Sequence, residues 1–291
     1  MKAMGAVKAV GAIAALLATG ASTLDPPAWR EPVAGFPIIG PIHYVGTKGL
    51  AAYLITTRDG AILIDGTLAP NVPAIERNIA RVGVRLRDVK ILLNSHAHFD
   101  HAAGLARLQR DTGARLAVMD ADARAIATGR PPSVVSYGLV TFPRARVDRV
   151  LHDGDTVTLG AVTLTALRTP GHTAGCTTWT MTVVQAGRPL RVMFPCSLTV
   201  AGNQLIANPG YRAIVSDFRY SFGRLAGMKA DVLLPAHPEL ADVMGRRARV
   251  AAGDRDAFVD PTGLPRMVTA ARIAFDAELI KQSGAATPAG H

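Results

Sequence analysis

The sequence predicts an α/β fold in which two β-sheets lie between helical layers. Three observations lead there. Strand-like and helix-like runs alternate in blocks, strands then helices, and the order repeats approximately in the second half of the chain. No linker-like break separates the halves, so residues 22–291 read as a single domain. At 291 residues and 49% hydrophobic content, the chain buries most of its unfolded surface without disulfide help.

The first segment stands outside that fold. Met1–Ala21 opens with Lys2 and Lys8, continues through an apolar run from Ala9 to Ala18, and leaves through Thr19, Gly20 and Ala21. A basic start, a short apolar centre and a small-residue exit make a secretory signal peptide. The uncharged stretch is shorter than the ~20 residues that a bilayer helix needs. Glycine, the absence of an amphipathic period and the Pro26-Pro27 pair argue against a core helix. An exported, periplasmic bacterial chain is the expectation, with a net charge falling from +10 to +8 once the two lysines leave.

Element by element, strands are expected at His43–Gly46 and Ala51–Thr57. The Asp-Gly turn at Arg58–Gly60 then leads into Ala61–Asp65 as a hairpin. Pro73–Val82 carries Ile75, Ile79, Ala80 and Val82 near helical spacing. Val89–Asn94 is a short, continuous apolar run that reads as a buried strand. A helix over Ala102–Asp111 stops at Gly113, and Arg115–Met119 returns as a strand. A Pro- and Gly-containing loop spans Gly129–Pro143. Strands follow at Arg149–Leu151, Thr156–Leu159 and Val162–Leu167, then a hairpin of Cys176–Val184 and Leu190–Phe194. Ile214–Leu225 is helical, Asp231–Leu234 a strand, and Pro265–Ile280 a closing helix.

Composition excludes several functions. Charged residues make up 19% of the chain and no segment is of low complexity for long, so disorder is excluded. Two cysteines exclude a disulfide-dense scaffold and a four-cysteine zinc module. The basic excess is dispersed over Arg77, Arg81, Arg85, Arg87, Arg246, Arg247 and Arg249. No basic run is interleaved with aromatics, which total 5%. That pattern describes a solvated surface rather than a nucleic-acid interface.

The chemistry lies in Ser95-His96-Ala97-His98-Phe99-Asp100-His101, which follows a strand and precedes a helix. Imidazoles and a carboxylate at this density suit zinc and similar divalent ions. His96 and His98, two apart in an extended segment, point the same way and can chelate one ion. Asp100 and His101, at the turn into the helix, aim elsewhere and can hold a second. An isolated histidine is usually structural; three in this spacing are a ligand set. His172, in Thr169-Pro170-Gly171-His172, and His237, in Leu234-Pro235-Ala236-His237-Pro238, each lie just beyond a strand. His43, His152 and His291 have no such setting.

With these residues the chain resembles the metallo-β-lactamase superfamily, whose hallmark is His-x-His-x-Asp-His after a strand and isolated histidines downstream. The likeness runs from about His43 to the closing helix. It implies the four-layer αββα sandwich of that family. More narrowly, the chain is similar to the third subclass of class B β-lactamases. There the first zinc takes three histidines, here His96, His98 and His172, and the second takes Asp100, His101 and His237. The best-known subclass has Arg at the position of His101 and a cysteine ligand. Thioesterases and lactonases of the superfamily place a metal-bridging Asp after the hairpin. Here that stretch reads Phe194-Pro195-Cys196-Ser197-Leu198-Thr199, without a carboxylate.

The resemblance therefore implies a dizinc enzyme, two Zn²⁺ per chain, that opens the β-lactam ring of penicillins, cephalosporins and carbapenems through a zinc-bound hydroxide and so confers antibiotic resistance. Asp100 is the expected catalytic residue, orienting the attacking hydroxide. Ser197 and Thr199 are candidates for binding the substrate carboxylate, and both equally suit strand-end capping. Asn203 stands where some relatives carry Tyr and bears on substrate preference. A lactonase or thioesterase of the same superfamily is the alternative. The partner expected is a small β-lactam, with no nucleic acid and no membrane after the leader leaves, and the chain is expected to be a monomer. A zinc serving structure alone would want a closed four-ligand site, which this dense set is not.

Cys176 and Cys196 flank the second predicted hairpin symmetrically about residue 186. A turn there sets them opposite each other on one face, and an exported chain can oxidise them. Two buried free thiols, or Cys196 as a metal ligand, are the other readings.

Overall fold

Strands buried on both faces dictate the architecture of the computed structural model, which describes residues 25–131 and 133–285. Met1–Ala21, read above as a leader, and His291 lie outside the described residues. The first sheet has seven strands in spatial order: β1 (Phe36–Ile39), β2 (Ile42–Tyr44), β3 (Tyr53–Thr57), β4 (Gly60–Ile64), β5 (Val89–Leu93), β6 (Arg115–Met119) and β7 (Arg149–Leu151). Its first four strands are antiparallel neighbours and its last four parallel ones. The second sheet holds β8 (Thr156–Leu159), β9 (Val162–Arg168), β10 (Thr177–Gln185), β11 (Arg188–Phe194) and β12 (Val232–Leu233). Only β11 and β12 pair in parallel there.

Alternation along each strand sorts side chains into three apolar layers. Tyr53, Ile55, Ile62, Ile64 and Leu93 of the first sheet meet Trp179, Val192 and Phe194 of the second in a central core. The opposite face of the first sheet, with Leu54, Leu63 and Leu92, packs on α1 (Val72–Arg81), α3 (Leu105–Thr112) and α4 (Asp120–Thr128) through Ile75, Ile79, Leu108 and Ile126. The outer face of the second, with Met193 and Leu233, packs on α5 (Ile214–Ala226) and α7 (Gly263–Ala285) through Phe218, Phe222, Leu264 and Phe275. Helix, sheet, sheet, helix: the predicted four layers are present.

Several boundaries differ from expectation. The predicted helix Ala102–Asp111 is two pieces, α2 (Phe99–Ala102) and α3, parted at Ala103 and Gly104. At the break Gly104 donates its N–H to Thr67 O at 3.0 Å rather than back along the helix, and glycine permits the approach, since a Cβ there would stand 2.1 Å from the carbonyl oxygen of Gly66. The chain leaving β4 thus crosses the start of α3 at backbone distance. Among the strands and α-helices of the described residues, three carry no expectation in the sequence: β1, α4 and α6 (Val243–Ala251). The stretch expected as a loop from Gly129 holds one isolated bridge, Val135 to Asn203, among its described residues.

The second hairpin turns through Ala186 and Gly187, at φ of 50° and 77°, which suits a two-residue turn with both residues left-handed. Gln185 pairs Arg188 and Trp179 pairs Phe194. That register, extended past the ladder, sets Cys176 opposite Ser197, one residue off the expected pairing. Cys176 and Cys196 nevertheless form a disulfide, with Cα atoms 5.7 Å apart, just beyond the last ladder pair. No helix among the described residues is long and apolar enough to cross a membrane.

Candidate metal centre

Strand direction gathers the candidate residues. β9, β11 and β12 run the same way, so the segments following them emerge at one edge of the second sheet. His172 follows β9, Ser197 follows β11, and His237 follows β12. The His96–His101 segment leaves β5 of the first sheet toward the same edge. Thr177 donates its N–H to Ser95 O at 2.7 Å, and Trp179 donates Nε1–H to Asn94 O at 3.2 Å, which ties the two sheets together here.

Six side chains converge as two triads. His172 Nε2 lies 3.1 Å from His96 Nε2 and 2.9 Å from His98 Nδ1. Beside it, His101 Nε2 lies 3.0 Å from Asp100 Oδ2 and 3.2 Å from His237 Nε2, and His237 Nε2 is 3.4 Å from the same carboxylate oxygen. His96 is also within 4.8 Å of Asp100 and His101, so the triads abut. An ion with tetrahedral Zn–N bonds of about 2.0–2.1 Å sets its ligand nitrogens roughly 3.3 Å apart. The observed spacings are close to that. Three imidazole nitrogens aimed at one point cannot satisfy each other with N–H donors, whereas a shared cation satisfies all of them.

The remaining ring nitrogens fix how each imidazole presents itself. His172 donates Nδ1–H to Thr199 O at 2.7 Å, and His96 Nδ1 sits 3.0 Å from Ser95 Oγ, leaving Nε2 free on both rings. His98 turns the other way, with Nδ1 in the triad and a buried, unpartnered Nε2. His101 Nδ1 faces Asp65 Oδ2 at 3.5 Å, beyond good hydrogen-bond range.

Electrostatics separates the triads. Burial first, and then the neighbouring imidazoles, hold His96 and His172 well below the usual histidine range. Burial brings His98 down to about 4, so this triad is neutral and offers lone pairs at neutral pH. Burial also opposes charge on His101, but Asp100 and then Asp65 outweigh it and push that imidazole up to about 10. Burial would likewise raise Asp100; His101 and His237 keep it well below the usual carboxylate range. Asp100 and His101 thus make an ion pair whose proton a metal would displace.

Two buried carboxylates with no role in the sequence reading hold the loops. Asp65, at φ 64°, accepts from Ser95 N–H and Asn94 Nδ2–H through Oδ1, and from Ser95 Oγ–H through Oδ2. Asp122 Oδ2 accepts from Ala97 N–H at 2.8 Å and Thr173 Oγ1–H at 2.7 Å, and its Oδ1 accepts from Gly175 N–H at 2.9 Å. One side chain therefore joins the His96 loop to the His172 loop. Gly175 permits it, since a Cβ there would fall 2.5 Å from Asp122 N. A carboxylate directly after a buried strand was the available signal for Asp65. Asp122 has none, because its partners lie 25 and 51 to 53 residues away.

The expected substrate residues are placed unequally. Ser197 and Thr199 lie at the exit of β11 with their hydroxyls 3.0 Å apart, Ser197 buried and Thr199 exposed. Asn203 is fully buried: it donates to His172 O at 3.1 Å and Val200 O at 2.8 Å, and accepts from Ser133 Oγ at 2.7 Å. Its side chain backs the His172 loop. Trp29, which drew no attention in the sequence, stands 5.6 Å from the His237 ring and 6.2 Å from Phe99, forming a wall beside the second triad. His43 and His152 lie outside both triads.

Comparison with known proteins accords with this geometry. A family model described as the metallo-beta-lactamase superfamily matches residues 48–237. Among solved structures, BJP-1, a subclass B3 metallo-beta-lactamase of Bradyrhizobium japonicum, superposes with a TM-score of 0.86 at 40% identity, covering 90% of this chain and 99% of that one. Native FEZ-1 metallo-beta-lactamase from Legionella gormanii superposes at 0.84 and 40% identity, covering 87% and 98%. A probable metallo-hydrolase of Burkholderia pseudomallei is 33% identical over 39% of this chain and 38% of its own length. A hydroxyacylglutathione hydrolase of Cereibacter sphaeroides is 34% identical over 38% and 36%. The chain thus spans less than two fifths of the length of those two relatives.

Proposed function

The chain belongs to the metallo-beta-lactamase superfamily, and from that premise we propose that it is a dizinc hydrolase opening the β-lactam ring of penicillins, cephalosporins and carbapenems, and thereby conferring antibiotic resistance. The observation that carries this reading is the pair of abutting triads, His96–His98–His172 and Asp100–His101–His237, with hydroxyls rather than a bridging carboxylate at the exit of β11. Likeness over nearly the whole length to a subclass B3 enzyme supports it.

The three neutral imidazoles would hold one zinc, and Asp100, His101 and His237 the second. Zinc bound there would polarise the lactam carbonyl, bring the pKa of a water down to about 7 and stabilise the departing nitrogen. Asp100, a carboxylate, would orient the attacking water by accepting a hydrogen bond from it. As the water oxygen bonds to the carbonyl carbon, the carbon–nitrogen bond breaks, and the proton that the water gives up ends on the ring nitrogen. Thr199, exposed, and Ser197 behind it offer hydroxyl donors to the substrate carboxylate. Asn203 enters this reading through His172, whose backbone it holds. We further read Met1–Ala21 as an export leader and residues 22–291 as one mature domain, acting in the periplasm as a monomer.

Steady-state hydrolysis of a penicillin, a cephalosporin and a carbapenem, measured beside a lactone and a thioester, tests the assignment. Turnover of the three β-lactams that stops with a chelator and returns with zinc is expected. Preference for the thioester or the lactone would replace the reading with that alternative, to which the likeness to a hydroxyacylglutathione hydrolase points.

A further inference from the structure

His96 has two sulfur neighbours that the hydrolase reading leaves aside. Cys176 and Cys196 are fully buried, and their Sγ atoms lie with a ring nitrogen of His96 all within 4.8 Å of one another. Joined as a disulfide, the sulfurs carry no thiolate charge to offer a cation. Yet each lies against a backbone carbonyl, Cys196 Sγ 3.3 Å from Ser95 O and Cys176 Sγ 3.5 Å from Ser197 O. In the disulfide those contacts have no proton to share. In the reduced protein each becomes an S–H donor with an acceptor already beside it.

We propose that the reduced cysteine pair forms, with His96, a thiolate site for a thiophilic divalent ion, and that the disulfide keeps this site closed. The proposal goes beyond the hydrolase reading and stands on the cysteine geometry alone. Two thiolates on one tetrahedral ion at about 2.3 Å sit roughly 3.8 Å apart. A disulfide holds its sulfurs at about 2.05 Å, so less than about 2 Å of parting converts one arrangement to the other. Thiolate is the softer ligand and competes well for zinc, cadmium or cobalt. His96 belongs to both groups, so an ion captured by the thiolates competes with the imidazole triad for it. Oxidation therefore does more than brace the hairpin: it removes the two side chains best able to misdirect the metal.

The test uses the purified chain, stripped of metal and reduced without oxygen by a trialkylphosphine. Water supplies the oxygen of the phosphine oxide, and its two protons end on the two sulfurs. After the phosphine is removed, cobalt(II) alone is titrated in. Reduced protein should develop near-ultraviolet thiolate-to-cobalt charge-transfer absorption. The oxidised protein and the double variant Cys176→Ser with Cys196→Ser should show none. Cobalt affinity in the reduced folded chain should exceed that of the same reduced chain in urea by at least about 10-fold, the scale on which a shaped ligand environment moves metal affinity. Equal affinity in urea, or no band in reduced protein with native circular dichroism, overturns the proposal. If reduced protein loses its fold, Cys176→Ser, which cannot form the bond, presents Cys196 beside His96. A folded Cys176→Ser chain with a weaker, one-thiolate band supports the site, and one without any band overturns it.

Discussion

Asp122 shows how much of the centre rests on a residue that touches no candidate ligand side chain. Its carboxylate takes one hydrogen bond from the loop carrying His96 and His98 and two from the loop carrying His172. Replacing it by Asn turns one oxygen into an N–H₂ group facing N–H or O–H donors. Asp122→Asn should cost about 2–3 kcal/mol in urea unfolding, the scale for disrupting a buried charged acceptor. It should also weaken zinc binding by about 10–100-fold, as loss of a ligand-orienting partner does. Zinc affinity unchanged at that lowered stability would mean that the two loops keep their places without it. The candidate ligands themselves were legible in the sequence because all six fall in patterns readable within a few residues: three histidines and a carboxylate in six positions, and two histidines each just beyond a strand in a Pro-containing turn. Asp65 and Asp122 were not, since what they hold is brought to them only by the folded sheets. Asn203 carries the same lesson. Its place in the sequence suggested a substrate contact, and its burial gives its amide to the backbone of His172.

At the scale of elements, the β10–β11 hairpin joins the His172 loop to the Ser197 segment, and its cross-link lies where the ladder ends. The closed loop spans 20 residues, for which chain entropy gives roughly 3 kcal/mol of stabilisation. The seven-pair ladder and the two-residue turn already restrain that loop, so less should be lost. Cys176→Ser with Cys196→Ser should thus lower the thermal midpoint while leaving zinc stoichiometry unchanged in oxidising buffer. A loss of zinc from that variant would assign the sulfurs a part in the oxidised centre. The hairpin was legible because strand-like runs bracket a turn sequence, but the pairing offset of one residue was not, since it depends on the left-handed conformation of Ala186 as well as Gly187. β1 escaped notice because Pro37 interrupts a four-residue strand. α4 and α6 bury too few apolar side chains to leave a period: Ala125 and Ile126 in one, Val243 in the other.

For the whole molecule, the layered sandwich was legible because strand runs and helices alternate in blocks, and a strand such as Val89–Leu93 is apolar enough for a sheet covered on both sides. Two of its helices are tied together by charges that the sequence could not pair. Asp260 accepts from Thr262, from Arg266 at 2.6 Å and from Arg246 at 2.7 Å, tying α6 to the start of α7. Burial would raise its pKa; Thr262 and the two arginines outweigh burial and hold it well below the usual carboxylate range. The folded state therefore binds its proton less readily than the unfolded chain does. Its contribution is fully present above the ordinary carboxylate pKa of about 3.9 and is lost as pH falls from there toward the depressed folded value. Asp260→Asn should accordingly cost about 1–2 kcal/mol at pH 7 and progressively less below about pH 4, read from urea unfolding at both values. An equal cost at both would show that the side chain acts through shape rather than charge.

The six converging side chains come from positions 96 to 237, on segments leaving both sheets. An ion held by them joins parts of the chain that are distant before folding, and the unfolded chain presents no such cage. Loading and folding are then one linked equilibrium. Free zinc at a hundred times its dissociation constant adds about 2.7 kcal/mol to the apparent stability, and each further tenfold adds about 1.4. Scarcity of the ion would reach this protein first as a larger unfolded population open to proteases, so its abundance, and not only its turnover, would follow the zinc supply.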